Sequence, residues 1–130
     1  RQYPAGQGVI GKAWREEEAY EPALPDPATN LEEYTAACED KYRLPADTTR
    51  ALRMKSRSLY ARQIRSADER RPLAVIVIES TEANRFPQEL IEKSFNSRRG
   101  KALSKVVQLF SEGMPKFTIS SIIEDEGGKR

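Results

Sequence analysis

The chain contains no histidine, and this absence removes several classes of function. Without an imidazole there is no Ser-His or Cys-His nucleophile pair, no histidine-ligated zinc or haem, and no side chain that titrates unperturbed near neutral pH. Cys38 is the single cysteine, so no disulfide can form within the chain and nothing favours an oxidising compartment. We expect a cytoplasmic protein that is not an enzyme and carries no metal or cofactor.

Long apolar runs are missing as well. The longest, Leu73 to Ile78, has six residues, whereas a helix that spans a bilayer needs ~20. The first residues carry no signal-peptide pattern. We therefore expect no membrane span in these 130 residues, which suffice for one domain that buries about two thirds of its unfolded surface.

Acidic and basic residues nearly balance over the whole chain, but each kind is concentrated in one segment. The net charge of +2 is too small to indicate nucleic-acid binding. Residues 16–40, the acidic block, contain nine acids and no Lys or Arg, whereas residues 50–71, the basic block, contain eight bases and two acids. We expect these blocks to face each other or a charged partner, or to be two solvated faces. Tyr60 is the only aromatic residue of the basic block, which argues against base stacking.

Residues 73–80, LAVIVIES, are predicted to be the middle strand of a sheet. Six consecutive apolar residues rich in Val and Ile are typical of a strand that is buried on both faces. Residues 58–64, SLYARQI, mix apolar and polar positions, as expected for a strand with one more solvent-exposed face. The polar link of residues 65–71 has the length of a hairpin loop, so the two strands are predicted to be antiparallel neighbours.

Three glycines within residues 6–11 have the spacing GxGxxG. A dinucleotide fingerprint needs a strand before the glycines and an acidic residue about twenty positions later. The five preceding residues are too few for that strand. The pattern instead predicts a turn into a short helix, residues 9–15, that packs Ile10, Ala13 and Trp14 inward.

Asn30 is predicted to cap a helix with one apolar stripe and one acidic side. The stripe contains Leu31, Tyr34, Cys38 and Tyr42. A short edge strand over residues 18–24 precedes this helix, and a shorter helix capped by Asp47 follows it. The segment from residue 25 to 54 is therefore predicted to be a proline-rich loop and two helices.

After the hairpin, Phe86-Pro87 precedes a long helix with an apolar stripe. Gly100 is predicted to be a weak joint in this helix, because glycine costs a helix about 1 kcal/mol relative to alanine. Residues 113–130 are predicted to hold an extra strand, FTISSII, and a flexible tail.

The order of these motifs resembles the GAF domain family. GQGVIGKAW at residues 6–14 matches a G-x-G-x-x-G turn into a short helix, a variable loop with two helices follows, and residues 57–80 match a Ser-initiated strand, a hairpin and a strand of the form GVLxxxS. Ser58 and Ser80 stand at the two Ser positions. Where the family usually has Val-Pro after the first strand, this chain has Arg62-Gln63.

The resemblance implies an α+β fold, a GAF-like antiparallel β-sheet with helices packed on one face and a roofed pocket on the other. Residues 25–54 would form the roof. Residues 1–112 would be the C-terminal two thirds of a GAF-like domain. Its N-terminal helix and first strands would precede Arg1, or residues 117–123 would partly replace them.

On such a fold, one helix stripe would face one strand across the pocket. Tyr34, Cys38 and Tyr42 would oppose Ser58 and Tyr60, which gives an apolar wall with a few hydroxyls to orient a small ligand. In the alternative interpretation the tyrosines only close the core.

Arg53 and Arg57 are the candidate residues for an anionic ligand such as a nucleotide. Guanidinium groups form forked hydrogen bonds that suit phosphate or carboxylate. In the alternative interpretation both are ordinary surface arginines.

The resemblance implies a non-catalytic sensory or regulatory domain that binds a small molecule, which remains unidentified. The signal would pass through the C-terminal helix or a homodimer interface to an effector or an N-terminal region. The alternative is a protein interaction or dimerisation module without a ligand, which uses the acidic and basic blocks. Family members that use a bilin, a haem or several thiols do not fit a chain with one cysteine and no histidine.

Overall fold

The computed structural model describes residues 6–111, which adopt an α+β arrangement. Within this range the elements are α1 (Gly8–Glu16), β1 (Glu18–Glu21), α2 (Leu31–Tyr42), α3 (Ala46–Ala51), β2 (Ser58–Arg65), β3 (Pro72–Ser80), α4 (Gln88–Asn96) and α5 (Arg98–Ser111). The strands form one open antiparallel sheet in the order β1-β2-β3. The predicted extra strand and tail, residues 113–130, lie outside the described residues.

The predicted hairpin is confirmed. β2 and β3 pair antiparallel from Ser58 opposite Ser80 to Arg65 opposite Pro72, with a bulge between Ile64 and Arg65. The polar loop between them is closed by a backbone hydrogen bond from the Ser66 amide to the Arg71 carbonyl, 2.9 Å long. The edge strand predicted for residues 18–24 is present as the shorter β1, which pairs with β2.

The prediction that residues 73–80 form the middle strand is wrong for the part of the chain that the structure describes. β2 is central, and β3 lies at the edge of the sheet. Nearly every residue of β2 is buried, whereas in β3 only Ile76 is fully buried and most other side chains are half-buried. The apolar run reflects helices on both sides of β3, and such cover does not fix the position of a strand within its sheet.

Helices α1 and α2 cover one face of the sheet, which we call the α2 face. Ala13 of α1 is fully buried against Ala19 and Ala61, and these small side chains let the helix lie close to the strands. α2 packs beside it, over Leu59. Trp14, which was predicted to point inward, has 47% of its surface exposed.

Helices α4 and α5 cover the opposite face, which we call the α5 face. Phe95 of α4 and Leu103 of α5 pack against Ile64 and Ile76. The expected arrangement, with helices on one face and an open pocket on the other, therefore differs from residues 6–111, where helices lie on both faces. The coarser prediction of an α+β fold with an antiparallel sheet is confirmed.

The predicted cap of α2 is confirmed, and the predicted cap of α3 is not. The Asn30 side-chain oxygen accepts a hydrogen bond from the Glu33 amide at 3.0 Å, and the Asn30 side-chain amide donates to the Glu33 carboxylate at 3.2 Å. The first of these bonds satisfies one of the free amides at the helix start. α3 begins after Pro45 instead, without a side-chain cap, and Asp47 lies inside it.

The long helix predicted after Phe86 is two helices, and Gly100 is not the joint. The chain breaks at Ser97, whose backbone is extended with φ −68° and ψ 162°. Gly100 lies within the first turns of α5, where a Cβ atom would overlap the backbone of Ser94 and Phe95. Glycine is therefore required there because α5 starts in close contact with α4.

Candidate functional site

The predicted site residues lie on both faces of the sheet and do not converge on one pocket. Tyr34, Cys38 and Tyr42 pack with Leu59 on the α2 face. Successive side chains of a strand point to opposite faces, so the neighbours of Leu59 in β2, Ser58 and Tyr60, point to the α5 face. The helix stripe and the two strand residues that were predicted to face each other across a pocket therefore lie on opposite sides of the sheet.

The stripe of α2 is closed over by its own core. Tyr34, Cys38 and Tyr42 are 2%, 4% and 4% exposed. Leu24, in the proline-rich loop of residues 22–30 between β1 and α2, is 1% exposed and fills the space beside them. The Tyr34 hydroxyl donates a hydrogen bond of 2.8 Å to the Ser56 carbonyl. Burial raises the pKa of the Tyr34 and Tyr42 hydroxyls well above their ordinary value. These tyrosines are neutral core residues with internal partners.

Cys38 lies in the same core. Burial is the largest effect and raises the pKa of its thiol. A hydrogen bond with Tyr34 partly opposes this increase, and the charges of Glu21, which raises the pKa, and Lys41, which lowers it, have smaller effects. A thiol is nucleophilic as the thiolate. The surroundings of Cys38 therefore disfavour its use as a nucleophile.

Glu21 forms a buried polar contact that the sequence did not indicate. Its side chain is 9% exposed, and its Oε2 atom accepts a hydrogen bond of 2.8 Å from the Lys41 ammonium. The Tyr42 hydroxyl donates to the same oxygen at 3.4 Å. Glu21 lies two residues after Ala19 in β1, so both side chains point to the same buried face. This alternation could have predicted the burial of Glu21, but the neighbouring acidic residues suggested an exposed segment. The contact joins β1 to α2.

Ser58 and Tyr60 have structural partners on the α5 face. The Ser58 hydroxyl donates to the Glu82 carbonyl at 2.7 Å, which fixes the chain after β3. The Tyr60 ring lies 5.4 Å from that of Phe95 and 6.4 Å from that of Tyr20. Burial is the largest cause of the raised pKa of Tyr60. This aromatic cluster was not predicted, because Tyr20 and Phe95 are far apart in the sequence.

The two predicted anion-binding arginines differ in their surroundings. Arg53 is exposed in the loop before β2. Arg57 holds the proline-rich loop in place: its Nε atom donates to the Leu24 carbonyl at 3.1 Å, and its carbonyl accepts from the Leu24 amide at 2.7 Å. The backbone amide of Arg57 donates to Ser80. Arg57 thus connects the loop to the sheet.

The acidic and basic blocks meet across β1 and β2, beside a surface cleft of about 420 Å³. Glu18 lies opposite Arg62 in the sheet, and Arg65 binds the Glu17 carboxylate at 2.9 Å. The expectation that the two blocks face each other is met at this point. The cleft is lined by Glu17, Glu18, Arg62, Gln63, Arg65 and Glu69.

The outer edge of β3 carries backbone groups that no strand pairs within residues 6–111. The Gln63 amide donates to the Glu17 carbonyl, on the β1 side of β2. Backbone groups of successive residues alternate in direction, so the residues of β3 opposite Gln63 and Ala61 do not hydrogen-bond to β2. These are Val75 and Val77, and their N–H and C=O groups face outward.

None of the described helices has both the length and the apolar composition needed to cross a membrane. Comparisons of the chain with models of protein families, with curated proteins and with solved structures find no match. The structure therefore classifies this protein by its architecture alone, as an α+β fold with an open three-stranded antiparallel sheet in the described residues. The likeness to GAF domains depends on the order of the motifs and stays a prediction.

Proposed function

We propose that this domain is a non-catalytic regulatory module that works by associating with another protein chain. The observation that carries the proposal is the closure of the stripe on α2. Its tyrosines are 2% and 4% exposed, with Leu24 filling the space beside them. A small-molecule site there would have to displace well-packed apolar groups, which costs several kcal/mol for a residue of this size.

The chemistry of the side chains supports a role without catalysis. The chain has no histidine, and its single thiol is buried with a raised pKa. Activated nucleophiles need an adjacent base or a lowered pKa. Neither condition is met at Cys38.

The free edge of β3 supports association. A strand edge with unpaired N–H and C=O groups pairs readily with another chain, and natural edges are usually protected by charge, proline or a bulge. α5 packs against β3 next to this edge. A partner bound to β3 would therefore contact or shift α5, which gives the module a route for its output.

Sedimentation velocity of the purified chain, over a range of concentrations and at low and high salt, tests this proposal. We expect a reversible equilibrium between monomer and assembly that weakens with salt, because exposed charges contribute to the contact and are screened over about 8–10 Å at 0.1–0.15 M. A monomer under every condition would contradict it.

A sensory role with a small ligand is a second proposal, which the cleft beside Arg65 supports. Its volume of about 420 Å³ lies in the range of small-molecule sites, which run from about 300 to 1,000 Å³. Both signs of charge line this cleft, so a ligand with a carboxylate and an ammonium group fits better than a purely anionic one. Native mass spectrometry of the purified protein would reveal a retained molecule, and Arg65→Gln should release it.

The anionic version of the sensory role requires Arg53 and Arg57. If Arg53→Ala and Arg57→Ala leave the affinity for a nucleotide unchanged, that version is excluded. Because Arg57 also binds the Leu24 carbonyl, its variant needs a thermal-unfolding control, whereas the exposed Arg53 does not carry this complication.

A further inference from the structure

We infer that the free edge of β3 pairs antiparallel with β3 of a second copy of this chain, in a register centred on Ile76. The two sheets then continue into one. This inference rests on the proposed function, to which it adds the partner and the surface. It is carried by the backbone of the edge, the side chains on both sides of it, and the charges at its two ends.

The backbone of the edge is long, regular and unprotected within the described part of the chain. β3 has nine residues, and between Pro72 and Glu79 it contains neither proline nor a charged side chain. The amides of Val75 and Val77 face outward. Natural edge strands of this length usually carry inward-pointing charges, prolines or bulges that prevent pairing. The interior of this edge has none of these.

The side chains of β3 form incomplete apolar layers on both faces. Val75 and Val77 pack on the α2 face beside Ala61, and Ala74 and Ile78 pack on the α5 face, but all four remain half-buried. A strand at a naturally solvated edge usually exposes polar side chains on at least one face. A further strand paired with β3 would cover these half-buried side chains and extend the apolar layer on both faces.

The register centred on Ile76 is self-complementary. A two-fold axis through that position sets Ile76 against Ile76, Val75 against Val77 and Ala74 against Ile78 of the second copy. Each cross-strand pair is apolar, and directly opposed β-branched pairs stabilise antiparallel sheets. A two-fold interface requires this property, since the same patch must fit itself.

The charges flanking the edge favour the same antiparallel register. Arg70 precedes β3 and Glu82 follows it, at equal distances from Ile76. Antiparallel pairing therefore places Arg70 beside Glu82 of the second copy at both ends, whereas parallel pairing would bring like charges together. Both side chains are accessible, at 87% and 71% exposure, and their contacts within one copy are long, at 3.9 Å to Asp68 and 3.5 Å to Arg85.

The first test replaces the outward amide of the edge. In Val75→Pro the donor that faces outward is lost while the hydrogen bonds between β2 and β3 remain, and proline is tolerated on an edge strand when its nitrogen faces solvent. Val75→Thr is the matched control, since it keeps a β-branched side chain and the amide. By sedimentation velocity we expect the wild-type chain and Val75→Thr to dimerise and Val75→Pro to remain monomeric with an unchanged far-ultraviolet circular dichroism spectrum.

The second test reverses the flanking charges and remains informative if Val75→Pro fails to fold. Arg70→Glu and Glu82→Arg should each raise the dimer dissociation constant roughly tenfold, because every dimer contains two copies of the pair. The double variant should restore the wild-type constant, since each end again joins opposite charges. A surface change without a specific contact would not show this rescue.

The outcomes separate this inference from the broader proposal. A wild-type dimer that is unaffected by Val75→Pro and by both charge reversals overturns the β3 interface but leaves association standing. A wild-type monomer overturns both. A monomer in which the amides of Val75 and Val77 are protected from exchange also overturns the inference, because the edge would then be covered by another segment of the same chain.

Discussion

The space beneath α2 and the outer edge of β3 differ in how far the chain encloses them. Beneath α2, the hydroxyls of Tyr34 and Tyr42 both have partners within the chain, and the surrounding side chains are almost fully buried. At the β3 edge, the amides of Val75 and Val77 point away from the sheet. A closed region contributes to stability, and an open one is available for recognition.

The largest effect is expected at the residue that fills the space beside the tyrosines. Leu24→Ala should lower the free energy of unfolding by about 2–5 kcal/mol, because the removed side chain leaves a cavity in a rigid core. Leu90→Ala is the matched control, since Leu90 is 55% exposed and surface substitutions usually stay within about 0.5 kcal/mol. Urea unfolding measures both. Equal losses would mean that the region beneath α2 is not closed.

Alkaline pH should destabilise the protein through its buried tyrosines. Burial raises the pKa of Tyr34 and Tyr42, so above their ordinary value of about 10 the unfolded chain loses protons that the folded chain keeps. Stability is then full below that value and falls as pH rises toward the folded pKa, by up to about 1.4 kcal/mol per pH unit for each tyrosine.

Tyr42→Phe isolates this contribution. Between pH 10 and 11 this variant should lose less stability than the wild type by roughly 1 kcal/mol, the contribution of one tyrosine whose unfolded pKa is about 10. The comparison isolates the tyrosine because the two proteins differ only at this residue. Identical slopes from urea unfolding at each pH would show that Tyr42 titrates freely and is not enclosed.

Tyr34→Phe removes a hydroxyl from the closed region without changing its shape. The Ser56 carbonyl would lose its 2.8 Å donor, and a buried acceptor left unpaired costs about 1–3 kcal/mol. The hydroxyl of Tyr42 makes a longer contact, at 3.4 Å, so Tyr42→Phe near neutral pH should cost less. The reverse order in thermal unfolding would contradict the described hydrogen bonds.

The smallest effect is expected at Thr49 in α3, the helix that follows α2. This side chain is fully buried in α3, and its hydroxyl has no hydrogen-bond partner within the described part of the chain. Thr49→Val replaces an unpaired hydroxyl by a methyl group of similar size and should be neutral or stabilising by up to about 1 kcal/mol. Thr49→Ala, which leaves a cavity instead, should destabilise. A clear loss in Thr49→Val would reveal a hidden partner of the hydroxyl.

Local signals predicted the hairpin and the Asn30 cap, because each depends on residues within one or two elements. The meeting of the charge blocks was one of several alternatives that the sequence left open. The faces of the sheet were not predictable in the same way. In β2, Leu59 and Ala61 offer one apolar set and Tyr60 and Ile64 offer another, so the alternation does not tell which set α2 covers. The structure assigns α2 to the first set.

The position of β3 was missed for a related reason. Its side chains are apolar on both faces because α1 and α5 lie on either side of it. An apolar pattern on both faces shows that helices pack on both sides of the strand. The position of the strand in the sheet depends instead on which strands hydrogen-bond to its two edges. The break at Ser97 has a local cause, because the Ser97 hydroxyl accepts a hydrogen bond of 3.1 Å from the Gly100 amide and so caps the start of α5.

Amide hydrogen exchange at Val75 and Val77 tests the difference between the two regions most directly. We expect both amides to exchange rapidly in dilute protein and to become protected, like their inward-facing neighbours Ile76 and Ile78, as the concentration rises into the range of the dimer. Rapid exchange at every concentration would contradict the claim that the edge of β3 is the surface through which this domain associates.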